Sequence, residues 1–277
     1  MINIRQSEEY RLFMRKIGWQ VERVNDIQVF IKKFFLLGSF IKIQKINSPI
    51  PFLQIEKLAK KYRAFQIIVE PNEKDNDFKK FGYRLAKSTY SPSKTIQIDI
   101  SQKEEILFKN FTLEKRRAIK KAIKNQIIIK SSNQIEEFII IKNQKLGFLK
   151  YLLGDFQSKQ IKALWKAFSP QRVNLLSAIK GEKMLAGVLL LFYDHIAYYW
   201  LAASTKEGNK LGVPSLLVWE AIKLSKKKDC KIFDFEGIED SRYKSTSSWV
   251  GFTRFKEGFG GKEKEYSQTL VKRRFPF

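Results

Sequence analysis

Phe233-Asp234-Phe235-Glu236-Gly237-Ile238 alternates aromatic and acidic residues. After a polar loop comes Gly251-Phe252-Thr253-Arg254-Phe255-Lys256-Glu257-Gly258-Phe259-Gly260-Gly261. In an extended segment Phe233 and Phe235 share one face, and Asp234 and Glu236 project from the other. Gly237 lets the backbone turn out of the sheet. The carboxylates then stand at a strand end, where they can accept a proton, bind backbone amides or hold a cation. Lys256 lies between Phe255 and Phe259, close to three glycines that permit tight backbone approach to a ligand. An ammonium held there can stabilise developing negative charge or a phosphorylated ligand. The alternative is a solvated lysine whose stem lies across the aromatics.

Other residues narrow the chemistry. The chain has one histidine, His195, and one cysteine, Cys230. A nitrogen or sulfur zinc site and a Cys-His nucleophile pair are therefore nearly excluded, and no metal is expected. His195 follows Asp194 between two strand-like runs and reads as a hairpin-turn residue, and Cys230 reads as a small core residue. On a basic helix, Arg116 and Lys120 face one side, as do Arg117 and Lys121. That face binds phosphate or is simply solvated. In the strand-like run Tyr198-Tyr199-Trp200, Tyr199 points away from both neighbours and reaches a cleft if the strand borders one.

The elements that must hold these residues follow from hydrophobic period and punctuation. A helix is expected from Ser7 to about Ile17, then strands at 20–24, 27–34 and 40–46. A helix over 52–62 leads into a strand at 64–69. Phe78–Tyr83 reads as a short helix ended by Gly82, and 95–100 as a strand. Ser101 and Glu104 have capping-box spacing, opening a helical region to about Lys124 with an interruption near Thr112. Then come a strand at 127–130, helices over 135–147 and 159–168, and strands at 174–179, 184–193 and 196–203. A helix from Pro214 to about Lys228 and a strand over 231–235 complete the series. The order helix, three strands, helix, strand thus occurs twice, an internal structural repeat in an α/β chain.

With 277 residues the chain is long enough for one large domain or two small ones, and two are expected. No apolar run approaches the roughly 18 residues that span a bilayer, and the N-terminus lacks a signal-peptide core, so a cytoplasmic location is expected. A formal charge of +25 suits polyanions, either nucleic acid or an anionic membrane surface. Richness in Ile, Lys, Phe and Asn, as an AT-rich genome would encode, offers a plainer source of the same charge.

The Phe233–Gly261 residues resemble the pattern FDFxGI … GxxxFKxxFGG of the Fem family (FemABX) of peptidoglycan bridge-forming aminoacyltransferases. Asp99-Ile100-Ser101, Lys115–Ala122, Leu185-Ala186-Gly187, Tyr198–Ser204 and Leu216–Ile222 fit the same family in order. The resemblance implies two GNAT-like acyltransferase units in tandem. The expected division is 1–100, joined by a returning segment 262–277, and 101–261, with no long coiled-coil arm. It implies transfer of an amino acid from aminoacyl-tRNA to an amine of a peptidoglycan precursor, lipid-linked or nucleotide-linked, with no cofactor. Peripheral contact with the inner face of an anionic membrane is a separate expectation that rests on the basic charge. Lys256 becomes the catalytic candidate, Asp234 and Glu236 base or positioning groups, and Arg116, Lys120, Tyr199, Arg254 and Phe255 substrate-binding candidates. Two alternatives stay open: a GNAT-type N-acyltransferase using acyl-coenzyme A or another acyl donor, and a non-catalytic nucleic-acid-binding module. Glu207-Gly208-Asn209-Lys210-Leu211-Gly212 is a degenerate form of the loop with which GNAT enzymes hold coenzyme A pyrophosphate.

Overall fold

Ser7 opens the first helix, α1 (Glu8–Lys16), by accepting a hydrogen bond from Tyr10 N, with Glu8 and Glu9 in the first turn and Arg15 and Lys16 in the last. Each charge is placed where the helix dipole favours it. Strands β1 (Gln20–Val24), β2 (Ile27–Phe34) and β3 (Gly38–Ile46) follow as an antiparallel meander. Helix α2 (Phe52–Lys61) then crosses to β4 (Ala64–Pro71), which lies parallel to β3. The computed structural model describes residues 2–144 and 150–274.

These elements form the first of two units, which comprises residues up to Lys94, Gly237–Val250 and the stretch from Lys264. Its sheet has the order β1-β2-β3-β4-β13-β5, with β5 at Arg84–Leu85 and β13, the last strand of the chain, at Leu270–Arg273. The C-terminal strand is antiparallel to β4, with Leu270 opposite Val69. The core is rich in isoleucine and includes the fully buried Ile31, Ile41, Ile43, Ile55 and Ile67. Each such side chain contributes roughly 1.5–3 kcal/mol at most.

The second unit comprises Thr95–Glu236 and Gly251–Glu263. It contains β6 (Lys94–Asp99), α3 (Glu104–Lys109), α4 (Leu113–Lys124), β7 (Ile128–Ser132), α5 (Ile135–Asn143) and α6 (Lys150–Phe168). A meander of β8 (Val173–Lys180), β9 (Lys183–Tyr193) and β10 (Ile196–Ser204) comes next. Then follow α7 (Lys206–Lys210), α8 (Val213–Lys227), β11 (Ile232–Gly237), α9 (Val250–Glu257) and β12 (Lys262–Glu265). The sheet order is β12-β6-β11-β10-β9-β8-β7. Strand β9 is buried from Met184 to Phe192, as a central strand covered on both faces must be. Two mixed sheets flanked by helices make an α/β chain, and no long coiled coil occurs among the described residues.

Several local expectations change. Phe78–Gly82 forms turns, not a helix. Ser101 does not cap α3: its hydroxyl and amide both bond Asp99 Oδ1, and the helix starts after Lys103 without a side-chain cap. A closer carboxylate has outcompeted the helix for the serine. Helix α6 begins at Lys150, nine residues before the expected start, while the end of the 135–147 helix falls partly outside the described residues. The division between units falls at Lys94 and Thr95, not near residue 100, because β6 is hydrogen-bonded into the second sheet; Gly237–Val250 belongs with the first unit. Near the end of β11 the left-handed residue is Glu236, at φ 60, and Gly237 supplies space: a Cβ there would lie 2.7 Å from the Trp249 ring.

Candidate active site

The site is built where β10 loses its regular pairing. Tyr199 lies opposite Leu190 but Leu201 lies opposite Leu189, so Trp200 is the extra residue of a bulge. A bulge bends its strand and frees backbone from the ladder. On the other side β10 pairs in parallel with β11 from Ile196↔Ile232 to Tyr198↔Asp234. Beyond those positions a cavity of about 490 Å³ opens, floored by Tyr199, Ala202, Ala203 and Ser204 and walled by α4, α9 and the N-terminus of α8. Only glycine suits position 212 at that helix start: its φ is 77 and a Cβ would stand 2.6 Å from Ala118 O.

Lys256 lies on the cavity wall, 8% exposed, its ammonium 5.3 Å from the centre of the Phe252 ring one turn earlier on α9. Burial lowers its pKa to about 8, and the charges of Glu236 and Asp234 partly offset that effect. The side chain thus remains an ammonium at neutral pH while lying close to its titration point. Phe255 and Tyr199 share the cavity. Tyr199 packs edge-on against Phe235, and burial raises its phenol well above the ordinary range.

A second cation in this cavity was not singled out from the sequence. Lys115 on α4 is 6% exposed and its Nζ lies 4.8 Å from the centre of the Phe255 ring. Its stem packs so closely on Gly258 that a Cβ there would meet Lys115 Cε at 2.5 Å. Its ion-pair partner, Glu114 at 3.0 Å, is itself 81% exposed. The signal was present: Lys115, Ile119 and Ala122 are the buried residues of α4, at the i, i+4, i+7 spacing of a core-facing stripe.

The remaining candidates lie apart from the cavity wall. Asp234 is 2% exposed and accepts from Thr95 Oγ1 at 2.6 Å, Gln97 Nε2 at 2.7 Å and Glu236 N at 2.7 Å. Burial and the like charge of Glu236 nevertheless raise its pKa. Asp234 is sealed by β6, and its charge favours the ammonium form of Lys256. Arg116 is half-buried, its Nε without a hydrogen bond, and Lys120 and Arg254 are exposed; none of the three lines the cavity. His195 occupies the β9–β10 turn with Asp194, both at positive φ, and Cys230 is a buried free thiol raised to about 11 by burial. Among the described residues no cluster of His, Cys, Asp or Glu suits a metal. A larger cavity of about 850 Å³ in the first unit runs along Asn72, Asp75, Phe78, Arg242 and Tyr266. There Arg242 is already held by Asp240 and Glu265, at 2.7 and 2.9 Å.

The architecture is a GNAT-like fold. A tandem GNAT protein from the clavulanic acid biosynthesis pathway superposes with a TM-score of 0.52 at 8% identity, covering 91% of this chain and 81% of that one. A FemX crystal structure matches with a TM-score of 0.75 and 14% identity over 98% of this chain and 92% of the other. L-PGS from Bacillus licheniformis matches at 0.62 and 14% over 94% and 86%. The model of the FemAB family matches residues 157–270, a span that contains Tyr199 and the whole Phe233–Gly261 region. The chain shares the GNAT-like fold of FemX, and its residues 157–270 match the FemAB family model. No curated protein sequence matches the chain.

Proposed function

We propose that the chain transfers an amino acid from aminoacyl-tRNA to an amine of a peptidoglycan precursor. The observation that carries this reading is a buried lysine with a pKa of about 8 on the wall of a cavity inside the family-matched span. The donor ester is already activated. The amine nitrogen attacks the ester carbonyl, the carbon–oxygen bond to the ribose breaks, and the ribose hydroxyl leaves with a proton. Lys256 stabilises the oxyanion and, being near its titration point, can give that proton to the ribose oxygen and regain one from the attacking nitrogen, so that it ends the step as an ammonium. Lys115 steadies an anionic group of a substrate, and Tyr199 and Phe255 confine the reacting ends. Glu236 and Asp234 keep Lys256 charged. The +25 charge favours both tRNA and the pyrophosphate of the acceptor.

The stretch before α8 offers little support for an acyl-coenzyme A donor. Thr205 caps α7, and the amides of Gly208, Asn209, Leu211 and Gly212 donate to Thr205 Oγ1, Thr205 O, Glu207 O and Asn209 O. A pyrophosphate loop needs such amides turned outward. The test is incubation with a pool of charged tRNAs and with nucleotide-linked and lipid-linked muropeptides, with products identified by mass spectrometry. An aminoacylated precursor formed only with charged tRNA is expected. Product from acyl-coenzyme A alone, or tRNA binding without any product, would overturn the assignment.

A further inference from the structure

The β2–β3 hairpin of the first unit ends in Phe34-Phe35-Leu36-Leu37, four consecutive apolar side chains that are 44, 91, 78 and 64% exposed. Phe34 pairs with Gly38, so Phe35, Leu36 and Leu37 form a three-residue loop. Leu36 sits at φ 63, a left-handed conformation that glycine or asparagine adopts at less cost. The turn therefore carries apolar residues where its own geometry asks for small polar ones, and exposed apolar clusters of this kind mark contact surfaces.

The surroundings of the tip identify what it contacts. Ser39 N donates to Arg63 O and the Phe34 ring lies 5.8 Å from Phe65, placing the end of α2 and the start of β4 beside the hairpin base. Lys33, Lys60, Lys61, Arg63 and Arg273 are exposed there, Arg273 lying opposite Gln66 on β4. The nearby carboxylates are engaged: Glu22 accepts from Gln20 at 3.0 Å and from Tyr62, and Glu56 pairs with Lys272 at 3.0 Å and with Arg274. An apolar point ringed by cations matches a bilayer with anionic headgroups, whose acyl boundary takes the tip and whose phosphates meet the ring. A second copy of this face would bring the same positive ring against it and be repelled.

We propose that the Phe34–Leu37 hairpin tip docks the first unit on an anionic membrane surface. The docking does not depend on the reaction catalysed in the other unit. The full chain is floated with vesicles of phosphatidylcholine alone or with about one quarter phosphatidylglycerol. Binding is expected to the anionic vesicles only, and to weaken with salt. Phe35→Ser with Leu36→Asn should weaken it more than tenfold while leaving the melting temperature unchanged or raised. Lys61→Gln with Arg63→Gln should weaken it by roughly fivefold per charge. No binding of the wild-type chain to anionic vesicles, or equal binding by the tip variant, overturns the proposal. So does a dimer in analytical ultracentrifugation that the tip variant abolishes, which would assign the surface to a second copy.

Discussion

Glu70 in the first unit and Asp234 in the second are both 2% exposed and both accept several hydrogen bonds, yet their acidities move in opposite directions. Glu70 takes bonds from Gln44 Nε2 at 2.9 Å, Ser91 Oγ at 2.6 Å, and the amides of Tyr90 and Ser91 at 2.7 Å, and the charge of Lys45 lies nearby. Opposite charge and donors overcome the burial penalty and its pKa falls. Asp234 has donors of similar quality, but its charged neighbour Glu236 has the same sign, and its pKa rises. One unit compensates its buried charge and is built for stability. The other leaves charge under-compensated beside a cavity, the condition in which pKa values shift toward use.

Breaking the compensated site should give the largest change. Glu70→Gln removes the buried negative charge that faces Lys45 and should destabilise the first unit by about 3–5 kcal/mol in urea unfolding. Because the folded pKa of Glu70 lies below the unfolded one, its stabilisation is present above the ordinary glutamate range and lost as pH falls through the folded value. The wild-type chain should therefore lose stability on acidification more steeply than the variant.

Lys256→Met should lower turnover by on the order of a hundred- to a thousandfold, about 2.7–4 kcal/mol, with donor binding and folding retained. If the ammonium is the working form, wild-type turnover falls as pH rises through about 8. Lys256→Arg should restore part of the rate and move that limb upward, since a guanidinium does not titrate there. Near-normal turnover in the methionine variant, with chemistry rate-limiting, would remove Lys256 from the mechanism.

Lys115→Met should raise KM for the anionic substrate by about tenfold, corresponding to loss of one charged contact, with a smaller effect on kcat. An equal loss in kcat would instead place Lys115 at the reacting atoms.

The smallest effect sharpens the comparison most. Asp234→Asn should change stability by less than about 1 kcal/mol at neutral pH, because an ionised Asp234 is already penalised there and Gln97 can turn to match an amide. A raised folded pKa means that the contribution of Asp234 is most favourable below the unfolded value and is lost as pH rises through the folded one. The same change removes one of the charges that support Lys256, so the alkaline limb should shift below its wild-type position. A destabilisation as large as that of Glu70→Gln would show that the two carboxylates are equivalent.

Residue types and their periods determined most of the elements. Ser7 and Thr112 cap helices, Pro214 opens α8, and Asp194-His195 makes a tight hairpin, because each acts on backbone within a few residues. The motif around Lys256 was legible for the same reason, since α9 presents Phe252 and Lys256 one turn apart. Which basic residues meet in the cavity depended on contacts distant in sequence. Lys115 reaches Phe255 across 140 positions because Gly258 admits its stem, while Arg116 and Lys120 on the same helix turn elsewhere. Likewise the Trp200 bulge, which breaks the strict alternation expected of β10, arises from its register against β9. Tertiary structure alone decided whether a buried carboxylate is matched, as Glu70 is by Lys45, or opposed, as Asp234 is by Glu236, because charge acts through space and not along the chain.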